Sequence, residues 1–274
     1  MQAPPAAATL LDEPRIQGVK FLNAWPALYG LMLGKEPERV RMAVPSLLTE
    51  RLLSGAVDVA LAPVATLGLG ERFEVVRGVC IGSDGPVASV LVVGEARLED
   101  MELLLLDTTS RTSVVLAQLI AERLRSGRSL EVAAADHAQI ESRVRGRVGA
   151  VVIGDHALSL RGQYPYELDL GEAWTAWTGL PFVFAAWIAR QGATAAATCE
   201  SLRSSLRYGL SARREIAHMW AAQAGGDPVF FERYLTENVR YELDERFEAG
   251  LREFLARAAS AGFWAAPSLR LTRE

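Results

Sequence analysis

The sequence predicts an α/β fold of two lobes, each a mixed, mostly parallel sheet flanked by helices, with a ligand cleft between the lobes. Three observations lead to this prediction. Short apolar runs typical of buried strands alternate with helical patterns, which indicates parallel strands joined by crossover helices. The alternation restarts near residue 103, and a chain of 274 residues exceeds the usual length of one domain. Polar residues and glycines follow several strand ends, where α/β proteins bind their ligands.

The first lobe is predicted to open with three strands that each lead into a turn or a helix. We expect strands at 15–22, 39–44, 57–62, 75–81 and 88–93. Helices are expected near 27–33 and after Pro45, where Ser46 would cap the helix and Gly55 would end it.

The second lobe repeats this alternation and is inserted into the first. We expect strands at 103–106, 130–134, 149–153 and 182–189, helices at 110–124 and 136–143, and a turn at 177–181. The Ala-, Leu- and Arg-rich remainder predicts packing helices at 193–223, 227–237 and 244–260. One lobe would then comprise 15–92 with 187–270 and the other 93–186, with the chain crossing near 90–93 and 184–187.

Composition excludes several classes of protein. The net charge of −4 and a pI near 5.6 argue against a nucleic-acid partner, which usually selects a basic face. Cys80 and Cys199 form neither a disulfide framework nor a zinc motif, and the three histidines lack metal-ligand spacing. Residues 1–14 contain early prolines and no basic start, which predicts a disordered leader rather than a secretory signal. With no apolar run of about 20 residues, we expect no membrane partner and a cytoplasmic location. Oligomeric state is not predicted.

The sequence lacks the motifs that indicate a nucleophilic serine, a bound nucleotide or a catalytic zinc ion. There is no G-x-S-x-G elbow, Walker loop or H-E-x-x-H helix, and no G-x-G-x-x-G between a strand and a helix. We therefore expect a site that works without metal, nucleotide or flavin, or one that only binds a ligand.

The strongest candidate for a ligand site is the segment 107–113. Hydroxyls of Ser110, Thr112 and Ser113 at a predicted helix start would join free backbone N–H groups, which suit a carboxylate or phosphate. Arg111 would add a bidentate ion pair. The alternative is that Ser110 or Thr109 caps an ordinary helix and Arg111 is solvated.

Other strand ends carry weaker candidates, each with a plain structural alternative. Asn23 either faces a ligand or forms an Asx-turn, and Ser46 either binds or merely begins a helix. Ser89 stands among apolar residues at the proposed crossover and needs a hydrogen-bond partner if buried. The remaining candidates, each of which has a purely structural reading, are Gly154, Asp155, His156, Trp174 and Trp177.

Taken together, these turns resemble the menaquinone-biosynthesis family of the futalosine pathway, in particular its chorismate dehydratases. The resemblance covers about residues 15–190 in the family's order. Its segments are 19–26, 44–46, 55–60, 88–90, 110–113, 153–158 and 177–185.

The resemblance implies a fold like type II periplasmic binding proteins, used as a cytosolic carbon–oxygen lyase without a cofactor. It implies that chorismate loses water to give 3-[(1-carboxyvinyl)oxy]benzoate, with Asn23 and Ser89 in catalytic positions. The substrate-binding positions that it implies are Ser46, Ser110, Arg111, Thr112, Ser113, Gly154, Asp155 and Thr178. The proton acceptor stays open between the substrate's enolpyruvyl carboxylate and Asp155.

Two alternatives accompany this prediction. A sister family makes 1,4-dihydroxy-6-naphthoate on the same scaffold. Its sequence pattern has a His-Glu pair at the strand end where this chain has Gly154-Asp155. A non-catalytic protein that binds small anions is the other alternative.

Overall fold

The computed structural model describes residues 15–33, 40–70, 72–107, 109–126, 128–265 and 269–272. The predicted leader, 1–14, lies outside the described residues. The strands are β1 Ile16–Val19, β2 Val40–Ala43, β3 Val59–Pro63, β4 Phe73–Ser83, β5 Val90–Gly94, β6 Leu103–Asp107, β7 Glu131–Ala135, β8 Val148–Ile153, β9 Tyr166–Asp169 and β10 Phe182–Arg190.

The helices follow the strands in the alternation that the sequence predicts. They are α1 Trp25–Met32, α2 Pro45–Ser54, α3 Arg111–Arg125, α4 His137–Arg143, α5 Gly154–Leu160, α6 Leu170–Thr178, α7 Ala196–Ser211, α8 Arg213–Ala224, α9 Pro228–Arg233 and α10 Glu245–Ser260. A π-helical turn, Tyr234–Asn238, continues α9.

The strands form two five-stranded sheets. The first has the order β2-β1-β3-β10-β4 and the second the order β7-β6-β8-β5-β9. All strands of the first sheet come from residues before 84 or after 181, and all strands of the second lie between 90 and 169. The predicted lobe boundaries at 92/93 and 186/187 stay a prediction.

The expectation of mixed, mostly parallel sheets is confirmed, since in each of the two sheets four described strands point one way and a single strand points the other. Among the described strands, β1 pairs in parallel with β2 and β3, and β6 with β7 and β8. By contrast, β5 and β10 run antiparallel to both of their neighbours. The reason lies in the two crossings. The chain leaves each sheet at the end of a strand that points toward the cleft, so the first strand of the other sheet has to run away from it.

The helix-start prediction at Ser46 is wrong. The helix α2 begins at Pro45, because the fixed φ of proline suits the first helical position. Val44 is therefore the N-cap, and it makes no side-chain capping bond. Gly55 ends α2 in the left-handed region as predicted, with φ of 73°. The predicted turn at 177–181 begins later, since Thr178 is still the last residue of α6.

The core contains one large apolar cluster and a smaller one. Trp174, Phe182 and Trp187 are fully buried in the large cluster. The strands of the second sheet divide their side chains between the two clusters, so that Val90 and Val92 face one and Leu91 and Val93 the other. Cys80 and Cys199 are free thiols, and both are buried. No helix in the described part of the chain is both long and apolar enough to cross a bilayer.

Candidate functional site

A cavity that is partly open to solvent lies between the two sheets, and about 490 Å³ within it, open solvent included, is not filled by protein atoms. Both sheets contribute to its wall, and so do the segments that follow β1, β4 and β6. The lining residues are Val19, Phe21, Asn23, Pro45, Leu61, Pro63, Ile81, Val87, Ser89, Val90, Ser110, Ser113, Ile153, Gly154, Phe184 and Ala185. Among the described residues, this wall contains no ionisable side chain. Its polar side chains are the hydroxyls of three serines and the amide of Asn23.

The loop that carries Ser89 is held in an unusual conformation. Ala88 has a φ of 66°, in the region that residues other than glycine rarely adopt. The Asp169 carboxylate compensates by accepting from the Val87 N–H at 3.1 Å and the Ala88 N–H at 2.7 Å. The Gly154 N–H donates to the Ser89 carbonyl at 2.8 Å. The strained backbone is therefore fixed from two sides. Burial of the Asp169 carboxyl group raises its pKa.

Ser89 finds its side-chain partner in the C-terminal part of the chain. The Tyr234 hydroxyl donates to Ser89 Oγ at 2.8 Å, and both side chains are buried. Burial raises the pKa of the Tyr234 phenol well above its usual range, and the neighbouring Ser89 and Asn23 side chains partly oppose this increase. Asn23, Ser89 and Tyr234 therefore form one polar cluster, of which Asn23 and Ser89 line the cavity and Tyr234 lies behind them.

Sequence reasoning missed Tyr234 altogether. The residue lies 145 positions after Ser89, in a helical segment whose aromatic residues indicate only packing. A π-helical turn has no sequence signature comparable to a cap or a strand. No local signal could have identified this residue.

The start of α3 brings two further predicted residues to the cavity. Ser110, rather than Thr109, is the N-cap, and its Oγ accepts from the Ser113 N–H at 3.4 Å. The two hydroxyl oxygens are 3.1 Å apart. Thr112 is completely buried and its Oγ1 instead accepts from the Ala65 N–H at 3.1 Å, which ties α3 to the segment after β3. Arg111 is exposed as the first residue of α3.

Gly154 and Asp155 follow β8 and join the two halves of the cavity wall. Gly154 adopts a φ of 59°, and a Cβ there would lie 2.9 Å from the Phe21 ring. Asp155 Oδ1 accepts from the Leu22 N–H at 3.1 Å. Burial raises the pKa of Asp155 to about 6, and this hydrogen bond only partly opposes the increase.

The structure thus separates the predicted site residues into two groups. Those that line the cavity are Asn23, Ser89, Ser110, Ser113 and Gly154. Those that stand outside its wall are Ser46, Arg111, Thr112, Asp155 and Thr178. Thr178 Oγ1 donates to the Trp174 carbonyl at 2.9 Å and accepts from the Leu180 N–H at 3.1 Å, so it closes the end of α6.

The histidine and tryptophan candidates also lie away from the cavity wall. His156 stacks on His137 with ring centroids 4.0 Å apart, and burial and this neighbour lower its pKa. Trp174 packs edge-on against Phe182 at 5.2 Å. Trp177 lies beneath the Arg257 guanidinium, 4.2 Å from its ring centroid. In the described residues, no group of three or more His, Cys, Asp or Glu side chains is placed to hold a metal ion.

Solved structures with the same architecture define the class of fold. A protein of Archaeoglobus fulgidus superposes with a TM-score of 0.72 at 14% identity, covering 91% of this chain and 98% of that one. The alkanesulfonate-binding protein SsuA of Xanthomonas axonopodis pv. citri, solved with MOPS bound, has a TM-score of 0.63 at 14% identity, covering 94% and 96%. The E. coli periplasmic aliphatic sulphonate-binding protein SsuA has a TM-score of 0.62 at 14% identity, covering 95% and 94%. The chain therefore has the fold of periplasmic binding proteins, with a cleft between two α/β halves.

Sequence comparison then gives the family. The model of a family described as menaquinone biosynthesis matches residues 14–260. A chorismate dehydratase of Thermus thermophilus is 30% identical over 267 aligned residues, which cover 88% of this chain and 94% of the relative. The chain belongs to the menaquinone biosynthesis family, as the resemblance in its strand-end turns predicts.

Proposed function

We propose that the chain is a chorismate dehydratase that eliminates water from chorismate to give 3-[(1-carboxyvinyl)oxy]benzoate. The observation that carries this proposal is a cavity with hydroxyl groups at a helix N-terminus and no ionisable side chain in its described wall. The dehydratase from Thermus thermophilus, related over most of its length, supports the same activity.

The chemical balance of the reaction is simple. The C–H bond at the ring carbon that bears the enolpyruvyl ether breaks, its proton passes to the enolpyruvyl carboxylate, and its electron pair enters the ring. The C–O bond to the hydroxyl on the adjacent ring carbon then breaks, and the departing hydroxide takes up the proton held by that carboxylate, so that one water leaves and the ring becomes aromatic. Since aromatisation is strongly favourable, the protein has mainly to orient the substrate and stabilise developing charge.

The start of α3 suits the ring carboxylate of chorismate. Ser110 and Ser113 present hydroxyls to the cavity next to the free N–H groups of a 15-residue helix. Hydrogen bonds from these groups would stabilise the negative charge that spreads into the carboxylate as the ring proton leaves. Phe21 and Phe184 provide apolar walls for the ring.

Asn23 and Ser89 lie in the same wall and are suited to the leaving hydroxyl. Ser89 Oγ already accepts from Tyr234, so its own O–H remains to be donated into the cavity. A hydrogen bond to the departing oxygen stabilises it as the C–O bond lengthens. Asn23→Ala should therefore lower turnover much more than it lowers thermal stability, and turnover near that of the wild type would remove Asn23 from this role.

The proton acceptor in this proposal is the substrate's own enolpyruvyl carboxylate. The lining residues include no carboxylate or imidazole, and Asp155 stands behind the wall with Oδ1 bonded to the Leu22 N–H. Chorismate itself carries a carboxylate on the substituent next to the proton that leaves.

Asp155→Asn separates the two acceptors. With the substrate as its own base, the variant keeps turnover close to that of the wild type at neutral pH. Loss of turnover, together with loss of a wild-type rate increase near pH 6, would identify Asp155 as the base.

Steady-state turnover of the purified protein with chorismate tests the proposal itself. Conversion should proceed without added metal or cofactor. Tight binding of chorismate without conversion would support the non-catalytic alternative that the binding-protein fold suggests. A cytoplasmic location is part of the proposal, because the substrate is a biosynthetic intermediate, and fractionation of cells tests it.

A further inference from the structure

Tyr234 connects the C-terminal helices to the cavity. It is the first residue of the π-helical turn after α9, and its side chain is only 2% exposed. Its hydroxyl reaches Ser89 Oγ at 2.8 Å, although α9 and this turn belong to a part of the chain that contributes no residue to the cavity wall. Single-turn π-helices inside or beside α-helices are frequent at functional sites.

The direction of this hydrogen bond decides what Ser89 can do. Burial keeps the Tyr234 phenol protonated, and its O–H donates to Ser89 Oγ. A serine hydroxyl has one proton to give, and with a lone pair occupied by Tyr234 that proton is directed elsewhere. Ser89 lines the cavity, so the bond leaves Ser89 as a donor toward the bound molecule.

The same turn also fixes the backbone of the Ser89 loop. Asn238, the last residue of the π-helical turn, donates from Nδ2 to the Pro86 carbonyl at 3.1 Å. The loop contains the strained residue Ala88, with φ of 66°. Strained backbone persists only where its surroundings over-determine it. The π-helical turn and Asp169 therefore hold the loop from different sides.

We propose that Tyr234 is a positioning residue of the dehydration reaction: it orients the Ser89 hydroxyl so that its proton points to the leaving group of the substrate. The inference rests on the proposed function and adds to it a residue from the C-terminal helices. Tyr234 stands behind Ser89 rather than in the cavity wall, so it acts through Ser89.

Tyr234→Phe is the direct perturbation, and Tyr241→Phe is its matched control. Tyr241 is equally buried, and its hydroxyl has no hydrogen-bond partner among the described residues. Removing the Tyr234 hydroxyl should lower kcat by about tenfold to a hundredfold, since Ser89, the donor at the developing charge, loses the hydrogen bond that orients its proton. KM should change little, and Tyr241→Phe should keep the kcat and KM of the wild type.

A double-mutant cycle with Ser89→Ala distinguishes positioning from a general structural role. If Tyr234 acts through Ser89, the double variant turns over chorismate no more slowly than Ser89→Ala alone. A structural role would instead multiply the two losses. Thermal unfolding of all four proteins, measured in parallel, shows that each variant is folded under assay conditions.

Each outcome has a definite reading. Loss of kcat in Tyr234→Phe, absent in Tyr241→Phe and absent again in the Ser89→Ala background, supports the inference. If the wild type is active and Tyr234→Phe has the same kcat as Tyr241→Phe, the inference is overturned while the proposed function stands. A double variant in which the two losses of kcat multiply has the same meaning. A folded wild type that converts no chorismate overturns the proposed function, and this inference with it.

Discussion

Asp155→Asn should make the folded protein more stable at neutral pH, and the gain should disappear in acid. The carboxyl group accepts one hydrogen bond, from the Leu22 N–H at 3.1 Å, and burial raises its pKa from 3.8 to about 6. An asparagine of the same shape keeps an oxygen for the Leu22 N–H and carries no charge. The substitution therefore removes the cost of burying the charge with little change in packing.

The magnitude follows from the two pKa values. Each tenfold difference in proton affinity corresponds to about 1.4 kcal/mol, so the change from 3.8 to about 6 amounts to roughly 3 kcal/mol. Between these two values the folded chain binds more protons than the unfolded chain, so the free energy of unfolding falls as pH rises across this interval. The whole cost is present above pH 6 and almost none below pH 4.

Chemical denaturation of the wild type and Asp155→Asn between pH 4.5 and 7.5 measures the difference. We expect the variant to be more stable by roughly 3 kcal/mol at pH 7.5 and by only about 1 kcal/mol at pH 4.5. Asp100→Asn, at an exposed aspartate, is the control and should show a much smaller difference. A gain for Asp155→Asn that is the same at both pH values, or a loss that grows with pH, would refute the reasoning.

Three further substitutions test the site and its frame. Ser89→Ala should lower kcat at least a hundredfold, about the loss of one oxyanion donor, while the melting temperature falls by only a few degrees; turnover within threefold of wild type would exclude Ser89 from the reaction. Gly154→Ala should raise KM for chorismate, because a Cβ 2.9 Å from the Phe21 ring would displace that ring, which lines the cavity; an unchanged KM would contradict this. Gly209→Ala should lower the free energy of unfolding by about 2 kcal/mol or more, since its Cβ would lie 2.0 Å from the Pro26 carbonyl oxygen. The remaining folded fraction should keep its turnover, and a variant as stable as the wild type would count against this packing.

Local signals were sufficient to predict most of the fold. Apolar runs bounded by proline and glycine predicted every described strand except β9, and Gly55 and Ser110 marked a helix end and a helix start correctly. They failed at Ser46, where Pro45 already begins the helix. The segment 154–178 also escaped prediction in part, because α5 is short and amphipathic patterns need more than two turns to be distinctive.

The antiparallel direction of β5 and β10 could not be predicted from their composition. Both are apolar runs that read equally well as parallel strands, and their direction depends on where the chain crosses between the sheets.

The candidate site was predictable only where a turn places a polar side chain directly at a strand end. Asn23, Ser110 and Gly154 are of this kind and line the cavity. Thr112 follows the same pattern, yet its side chain lies on the buried side of α3 and bonds to the Ala65 N–H. Tyr234 depends on packing between distant parts of the chain, which only the three-dimensional structure contains.

The central claim is that the cavity converts chorismate to an aromatic product with its enolpyruvyl group in place. The most direct measurement is mass spectrometry of chorismate after incubation with the folded protein, without added metal or cofactor, beside Ser89→Ala. The account predicts a product lighter by one water, with an aromatic absorption spectrum, that forms with the wild type and hardly at all with the variant. Chorismate that remains unchanged with the folded wild type, or a product that has lost the enolpyruvyl group, would contradict it.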